Sequence, residues 1–504
     1  MIEFNEFGTK LWDIANVFRD DTLKTTEYLE EFSYFLFLKL YDYQDEERVV
    51  AGLEPIIPEN LRFRHWVKNP EKWAEEQGFK GTRKVVEFIQ HLFDELADLD
   101  LKGDELDEDR KIIQKIFKNH TLRVRYDATI RELCSRLDML EIPGIERATY
   151  DLLGRAYEFV VDKLGEQKQY GQYFTPRHIV RAMVDMIDPE IGEKVYDPAA
   201  GTGGFLVWAF MHLREKVERI SDGAVREPKL REIKRSLYGI EKAPDVYKLG
   251  IMNLILHGDG SSNFNEGDSL SPMAQDKHKE TYNAILTNVP FGPTAQDRTA
   301  QFRYHARLYE VLFLQHIMNA LAPGGRAAVV IKEGLLFAGS KNHLGLRGEL
   351  LDRYNVRAVI SLPSGVFNPY SGTKTSILIF EKPKEKRDTT KRVWFFRVDH
   401  DGFDLGATRR PIDKNDLPEL KRLWEIIKRS GWRELPVTEK SWVADVDEIR
   451  KNEYNLTANK YAPRDATREE FEPPQTILTN SMTLEEEITL DLDELQGMLA
   501  EVQG

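Results

Sequence analysis

Two short stretches of the chain combine residue types whose spacing could support chemistry. In the first, residues 194–206, an apolar strand pattern ends in Asp197, a glycine-rich turn follows, and an apolar helix pattern begins at Phe205. A strand, a glycine-rich turn and a helix N-terminus are the components of a nucleotide-binding βα unit. Gly201 and Gly203 would let the backbone of this turn approach a ligand closely. We therefore expect the turn to bind a nucleotide-like ligand.

The residues of this turn distinguish between classes of nucleotide. A dinucleotide fingerprint has glycine at its first, third and sixth positions, and the sixth position here is Leu206. The Gly-Lys-Ser/Thr ending of a phosphate-binding P-loop is also absent from the turn. Asp197, by contrast, is suited to accept a hydrogen bond from an ammonium group. The pattern favours a cationic, amine-bearing nucleoside such as S-adenosylmethionine over NAD, and a purely structural glycine turn is the alternative.

The second stretch is Asn288-Val289-Pro290-Phe291, which follows a predicted strand. Methylation of an exocyclic amine needs acceptors that hold its N–H groups and align the nitrogen lone pair with the methyl group. The side-chain oxygen of Asn288 and the carbonyl oxygen of Val289 are candidates for these acceptors. Pro290 restricts the backbone before it, and Phe291 offers a flat face to a planar substrate such as a flipped base. Alone, the pattern would equally fit a strand-end turn capped by asparagine.

Both stretches lie where strand and helix patterns alternate. After the glycine turn, strands are predicted at residues 236–241, 284–288, 326–331, 356–362, 375–380 and 393–396. This alternation predicts an open, mostly parallel sheet with helices on both faces, in which ligands bind at the carboxyl ends of the strands. Asp197, Glu241 and Asn288 all follow predicted strand ends, so we expect them to converge on one crevice.

A helical region precedes the alternating one. Residues 1–150 show apolar positions at helical spacing and nothing that looks catalytic, so we predict an N-terminal helical domain used for docking or clamping. Helices are expected over residues 151–169 and 177–187. Between them, Gln172 and Thr175 alternate with Tyr173 and Phe174 and could line a pocket, whereas a capped helix with two core aromatic residues is the alternative.

The remaining residues divide into two predicted parts. Residues 151–400 are expected to form the catalytic domain, and residues 401–504 a C-terminal extension. From about residue 465 the extension is acidic, with Arg468 as its one basic side chain, which predicts a solvated or partly disordered tail. Leu492, Leu495 and Leu499 predict a short terminal helix whose apolar stripe contacts another lobe or chain.

Composition and charge limit the class of protein. Of the 504 residues, 41% are hydrophobic, and no apolar run approaches the roughly 20 residues of a membrane span. The single cysteine, Cys134, excludes a disulfide framework and favours a reducing compartment, so a cytoplasmic location is expected. The scattered histidines form no zinc-binding pattern, and we expect no metal.

The formal net charge of −14 bears directly on nucleic-acid binding. Phosphate contacts normally dominate affinity for DNA, so either the substrate is not a nucleic acid or a partner supplies much of the binding. The sequence contains no zinc finger and no obvious recognition helix in a basic context. It also contains no Walker motif that would support translocation or cleavage by this chain.

Taken together, several stretches resemble one known family. Residues 172–176 (Gln-Tyr-Phe-Thr-Pro), 197–205 (Asp-Pro-Ala-Ala-Gly-Thr-Gly-Gly-Phe) and 288–291 (Asn-Val-Pro-Phe) are similar to motifs of the modification subunit of type I restriction–modification systems. These subunits are adenine-N6 DNA methyltransferases that use S-adenosylmethionine. The resemblance also covers residues 11–15, 37–39, 362–367 and 372–375, and so most of the chain. It implies an α/β, Rossmann-like methyltransferase domain with an N-terminal all-helical domain and a C-terminal helical tail.

The resemblance also implies roles for individual residues. The segment that flanks the methionine part of the donor would comprise Gln172, Tyr173, Phe174, Thr175, Pro176 and Arg177. The turn that holds the donor would comprise Asp197, Ala199, Gly201, Thr202, Gly203 and Gly204. Glu241 would bind the ribose hydroxyls, and Asp268 would accept a hydrogen bond from the adenine amine of the donor. Asn288, Val289, Pro290 and Phe291 would act on the target adenine.

The sequence departs from the family at one position, where Val289 replaces the first proline of the usual Asn-Pro-Pro-Phe. Every residue has a carbonyl oxygen, and Pro290 still restricts the backbone before it. We therefore expect activity to persist with a less rigid loop.

Partners and alternatives follow from the same residues. The resemblance implies that a specificity subunit reads the DNA sequence, two modification subunits clamp the duplex, and a motor–nuclease subunit restricts it. We expect the isolated chain to bind donor and to methylate DNA poorly. Cytosine-C5 methylation needs a cysteine nucleophile, which Cys134 in the helical region does not supply. Methylation of cytosine N4 or of a protein glutamine amide, and a donor-binding scaffold without catalysis, remain alternatives.

Overall fold

The computed structural model describes residues 2–21, 23–103, 106–141, 150–165, 174–259, 263–294, 299–368, 371–385, 387–406, 409–432 and 434–463. Residues 1–460 form one compact unit. Two of the predicted site residues, Gln172 and Tyr173, lie outside the described residues, as do the acidic tail and its predicted terminal helix.

The described part of the N-terminal region is helical, as its apolar periodicity predicts. In the fifth helix, Val85, Ile89 and Leu92 recur at helical spacing and are buried. Asp127 caps this helix, because its carboxylate accepts hydrogen bonds from the backbone N–H groups of Val85 (3.1 Å) and Val86 (3.0 Å). The helices of this region are α1 Ile2–Ala15, α2 Thr25–Val50, α3 Phe63–Trp66, α4 Pro70–Glu76, α5 Lys84–Ala97, α6 Asp107–Phe117, α7 Asp127–Met139 and α8 Tyr150–Gly165.

A mixed sheet forms the centre of the region that follows. Its strands are β1 Val195–Asp197, β2 Leu237–Glu241, β3 Asn263–Glu266, β4 Tyr282–Asn288, β5 Leu321–Lys332, β6 Asn355–Ser361, β7 Thr375–Glu381, β8 Arg392–Arg397 and, after a separate hairpin of β9 Asp401–Phe403 and β10 Pro411–Asn415, β11 Ser441–Asp445. In the described residues the strand order is β11-β8-β6-β7-β5-β4-β1-β2-β3. The neighbouring strands β3, β2, β1, β4 and β5 are parallel to one another, and β6 is parallel to β8. Strands β7 and β11 run antiparallel to their neighbours.

Helices flank this sheet in two groups. One group contains α9, α10 and α12, which pack against β1 to β5, and the other contains α14 and α16, which pack against β5 and β6. The helices of this region are α9 Arg177–Ile187, α10 Gly204–Glu218, α11 Gly223–Arg235, α12 Pro244–Leu256, α13 Pro272–Lys277, α14 Tyr309–Ala320, α15 Gly334–Phe337, α16 Lys341–Arg353, α17 Leu417–Ser430 and α18 Val446–Lys451. None of the helices in the described ranges combines the length and apolar composition of a membrane span.

Helix α12 joins the two regions. It packs against α2, α6 and α8 of the N-terminal region and also against β2 and β3. Its residues are apolar almost all round, and ten of the positions from Val246 to Leu256 are buried. A helix of this composition is stable only when it is covered on every side.

The predicted strands agree with the observed ones, with one extension. Strand β5 begins at Leu321 rather than at Arg326, because Gly324 and Gly325, whose residue type favours a turn before the strand, continue the ladder instead. Gly324 donates from its backbone N–H to the carbonyl oxygen of Lys382 (2.7 Å), and the Lys382 N–H donates to the Gly325 carbonyl oxygen (2.8 Å). Strands β3, β9, β10 and β11 are not predicted from the sequence.

Candidate active site

One cavity brings most of the predicted site residues together at the carboxyl ends of β1, β2 and β4. Its volume is about 640 Å³. The predicted residues that line it are Phe174, Thr175, Arg177, Asp197, Ala199, Gly201, Thr202, Gly204, Glu241, Asp268, Asn288, Val289, Pro290 and Phe291. Pro176 and Gly203 are the N-cap residues of α9 and α10, immediately next to lining residues.

The register of the parallel strands explains this convergence. In β1, Val195 pairs with Leu237 of β2 on one side and with Ala284 of β4 on the other. Because the three strands run in the same direction, their carboxyl ends reach the same edge of the sheet. Asp197, Glu241 and Asn288 are the last residues of these strands. The expected convergence of the three strand ends is therefore observed.

The glycine turn is fixed from two sides. Gly201 and Gly203 have φ angles of 55° and 77°, which a residue with a side chain rarely adopts. On one side, the Gly201 N–H donates to the carboxylate of Glu241 (2.9 Å). On the other side, the buried Asn253 of α12 donates from Nδ2 to the carbonyl oxygen of Thr202 (3.0 Å).

Two buried carboxylates form the floor of the crevice. Asp197 accepts a hydrogen bond from the Ala199 N–H at Oδ1 (3.0 Å), whereas its Oδ2 has no hydrogen-bond partner in the described part of the chain. Burial raises the pKa of Asp197 to about 7. Burial also raises the pKa of Glu241, although Gly201 and the two residues after Glu241 all donate backbone N–H groups to it. Two buried acids that have no cationic partner among the described residues are suited to an ammonium-bearing ligand.

A guanidinium also lines this cavity. The Arg177 side chain lies so close to Gly204 that a Cβ at position 204 would be 2.1 Å from Arg177 Nη1. Arg177 Nε is 3.4 Å from a carboxylate oxygen of Glu158 on α8. Glycine at position 204 therefore makes room for the guanidinium, which is a preferred partner for the carboxylate of a ligand.

Asp268 lies at the edge of the crevice after β3. One of its carboxylate oxygens accepts from the Leu270 N–H (3.1 Å), and the other lies 3.3 Å from Lys242 Nζ. The neighbouring Ser269 donates to the carbonyl oxygen of Pro198 (2.6 Å), which ties this loop to the glycine turn.

The loop after β4 presents a bare acceptor. Asn288 donates from Nδ2 to Thr175 Oγ1 (3.0 Å), while its Oδ1 is buried and has no hydrogen-bond partner among the described residues. Val289 is buried and Phe291 is half-buried, whereas Pro290 is exposed. Asn288 lines the same cavity as the two carboxylates.

The far end of this loop is held by α14. Gly292 has a φ angle of 93°, so the position favours glycine. Its N–H donates to the buried carboxylate of Glu310 (3.0 Å), and its carbonyl oxygen accepts from the Tyr309 N–H (2.9 Å). Both backbone groups of Gly292 are thus fixed by the first turn of one helix.

Comparison with known families identifies the family of this chain. The family model described as N-6 DNA Methylase matches residues 148–470, and the model described as HsdM N-terminal domain matches residues 7–123. This chain belongs to the N-6 DNA methylase family. The match spans every described residue that lines the crevice.

The methylase is also similar to individual relatives and to a solved structure. It is 28% identical over 484 residues to the methylase subunit of the type I restriction enzyme EcoEI from Escherichia coli, covering 94% of this chain and 93% of the relative. It is 26% identical over 514 residues to the EcoKI methylase subunit from Escherichia coli strain K12, covering 97% of this chain and 90% of the relative. A chain solved in work on complex assembly and conformational transition of the type I R-M system aligns with a TM-score of 0.71 at 29% identity, covering 99% of both chains.

These findings confirm four of the predictions made from the sequence. The resemblance to type I modification subunits, the methyltransferase fold, adenine-N6 methylation of DNA and S-adenosylmethionine as methyl donor are all confirmed. The alternatives on cytosine N4 and on glutamine amides gain no support. The roles of individual residues stay predictions.

Some lining residues of the methylase are missed by the sequence interpretation. Tyr309 and Phe313 of α14 and Phe367 after β6 add aromatic surface to the cavity. The aromatic pair one helical turn apart on α14 is a signal that could have been used. Glu310 carries no such signal, because a glutamate in the first turn of a helix is ordinary.

Proposed function

We propose that this methylase is the modification subunit of a type I restriction–modification complex, and that it methylates N6 of an adenine turned out of the duplex into the crevice. One observation carries this proposal. The Asn288 amide oxygen is a buried acceptor without a partner in the described part, and the Asn288 residue lines the same cavity as Asp197 and Glu241. One wall is therefore suited to a cationic nucleoside, and the loop beside it is suited to an amine.

The residues of the glycine turn and its neighbours would hold the donor. Asp197 offers a bare carboxylate oxygen for the ammonium group, and Arg177 offers a guanidinium for the carboxylate. Glu241 and Asp268 remain our candidates for the ribose hydroxyls and the adenine amine. When bound, S-adenosylmethionine supplies an electrophilic methyl group on a sulfonium.

The loop after β4 would treat the target adenine. The oxygens of Asn288 and Val289 accept the two N–H groups of the amine, which directs its lone pair toward the donor side of the crevice. Phe291 stacks on the flat face of the base. No strong base is needed before methyl transfer, because the amine loses its proton only after the N–C bond forms.

The replacement of proline by Val289 would not abolish activity. Val289 is almost fully buried, and the loop is held at Gly292 by Glu310 and Tyr309. Packing and hydrogen bonds thus supply restraint that the missing proline ring does not. These contacts support a loop that is more rigid than the sequence predicts.

The duplex would meet a basic segment beside the crevice. Residues 299–309 contain no acidic side chain, although the whole chain has a net charge of −14. In this segment Arg303, His305 and Arg307 are exposed, although Arg303 also pairs with Glu349 of α16 (3.0 Å). Tyr304 packs closely against Gly345 of the same helix. Such a segment is suited to a few phosphate contacts, while a partner supplies the rest of the affinity.

Partners and domains complete the proposal. A specificity subunit would read the sequence, a motor–nuclease subunit would restrict unmethylated DNA, and two copies of this methylase would clamp the duplex. Within the chain we propose domains at residues 1–150, 151–400 and 401–504. The matches to the two family models over residues 7–123 and 148–470 support the first boundary. A cytoplasmic location would follow from the DNA substrate.

Reconstitution tests the proposal directly. The chain is combined with its specificity subunit, duplex DNA and isotope-labelled donor, and the nucleosides are separated by mass spectrometry. We expect labelled N6-methyladenine, and much less of it without the specificity subunit. Labelled N4-methylcytosine alone would contradict the proposed target, and robust site-specific methylation by the isolated chain would contradict the need for a partner.

A further inference from the structure

We propose that Thr175 is a positioning residue that orients the amide of Asn288, in place of the donor-flanking role that the family resemblance implies. The inference rests on the proposed function, in which the Asn288 oxygen accepts from the target amine. Its observation is separate, namely one side-chain contact between the loop before α9 and the end of β4.

The contact holds the amide in the orientation that the structure shows. Asn288 Nδ2 donates to Thr175 Oγ1 at 3.0 Å. Because the nitrogen and oxygen of an amide leave the same planar carbon in diverging directions, a fixed nitrogen leaves the oxygen pointing away from Thr175. The oxygen is the atom that is buried without a partner in the described residues. Thr175 therefore holds the donor half of the amide and leaves the acceptor half for a substrate.

The hydroxyl of Thr175 is itself held in place. Phe174 before it is buried, and Pro176 after it restricts the Thr175 backbone to extended conformations. Helix α9 begins at Arg177 and packs against β4 and β5, the strands beside the reaction site. The hydroxyl therefore stands on a sheet-packed helix start, which is a rigid support for a reactive loop.

Without this contact the Asn288 amide would no longer be held in one orientation. A freely rotating Asn288 could turn its NH2 group toward the crevice, where a target amine would meet a donor instead of an acceptor. The fraction of molecules with the oxygen in the productive direction would fall, and kcat would fall with it. Donor affinity would not change, because the Asn288 amide is not among the groups proposed to hold the donor. These groups, the donor wall, belong to the glycine turn and to Asp197, Arg177, Glu241 and Asp268.

Two substitutions separate this role from the alternatives. Thr175→Val keeps the shape of the side chain and removes the hydroxyl, whereas Thr175→Ser keeps the hydroxyl and removes a methyl group. In the complex with the specificity subunit, we expect T175V to lower kcat on the order of 10- to 100-fold. We expect T175S to recover most of that rate. The donor dissociation constant, measured by calorimetry on the isolated chain, should stay the same in both variants.

Each contrary result has a definite meaning. A T175V variant with the wild-type kcat would overturn the proposal. A loss of donor affinity that matches the loss of rate would also overturn it, and would assign Thr175 to the donor wall. Thermal melting of both variants shows whether T175V folds; if it does not, Thr175→Ala replaces it under the same criteria. A failure of the proposed function looks different, since wild-type complex would then form no N6-methyladenine.

Discussion

The donor wall and the target loop of this methylase occupy one cavity and are built differently. Around the glycine turn, the contacts fix backbone groups of the turn itself: the Glu241 carboxylate accepts from the Gly201 N–H, and the Asn253 amide donates to the Thr202 carbonyl oxygen. The loop after β4 depends on side chains from distant segments, with Thr175 on one side and Glu310 on the other. The wall should thus govern binding and the loop should govern rate.

The largest expected effect is on the loop. Asn288→Ala removes the bare acceptor, so we expect kcat to fall on the order of 10³-fold while the donor dissociation constant stays unchanged. Single-turnover kinetics and donor calorimetry measure the two quantities. Equal losses in rate and donor affinity would erase the distinction between loop and wall. An unchanged rate would leave the chain a donor-binding scaffold with the chemistry elsewhere.

The matching change in the wall should act on binding. Asp197→Asn preserves shape and removes the charge that would meet the ammonium group. We expect the donor dissociation constant to rise about 10- to 100-fold, since hydrogen bonds to charged groups contribute this much. At saturating donor, kcat should be close to that of the wild type. If kcat fell instead and affinity held, the roles assigned to wall and loop would be reversed.

A smaller effect is expected from crowding the wall. Gly204→Ala places a Cβ where the Arg177 guanidinium lies, so the guanidinium must move. We expect donor affinity to fall roughly 10-fold as the contact to the donor carboxylate weakens. Gly223→Ala is the matched control, because it also sits at a helix start and its new Cβ would meet nothing within 4 Å. Similar affinities for the two variants would remove Arg177 from the donor wall.

The pH dependence of donor binding tests the electrostatic part of the comparison. Burial raises the pKa of Asp197 to about 7 in the free chain, so the carboxylate is largely protonated below that pH. A cationic donor favours the ionised form, and binding should therefore release a proton. We expect donor affinity to fall as pH is lowered through about 7, approaching about tenfold per pH unit. Calorimetry between pH 6 and pH 8 measures it, and D197N should show no such slope.

The stability of the donor-free chain should show the opposite pH dependence, because it should fall as pH rises. Because the folded-state pKa of Asp197 is raised, its contribution to the free energy of unfolding is complete below its unfolded pKa and is lost as pH rises through about 7. Comparison of wild type with D197N isolates this contribution from those of the other carboxylates. Donor should restore the stability lost above pH 7.

The wall could be predicted from sequence because it is local. A strand, a glycine turn and a helix start are continuous in the chain, so the spacing of Asp197 and Gly201 predicts their geometry. The convergence of Glu241 and Asn288 followed from the rule that parallel strands end at the same edge. The resemblance to a family then supplied the reaction and the donor.

The loop could not be predicted in the same way. The contact from Asn288 to Thr175 spans 113 residues, and the contact from Gly292 to Glu310 depends on where α14 begins. A threonine before a proline and a glutamate in a first helical turn have ordinary local explanations. Their partners are determined by tertiary packing, which one sequence does not reveal. For this reason nothing in the sequence indicates the contacts from α14 that hold the loop at Gly292.

Helix α12 would prevent the two regions of the chain from being produced as separate stable fragments. Its apolar surface is shared between the sheet on one side and the helices α2, α6 and α8 on the other. A fragment trimmed to the catalytic fold would leave that shared surface facing water, beside the asparagine that steadies the glycine turn. Such a fragment would aggregate or lose its donor, because α12 would lose the helices that cover it.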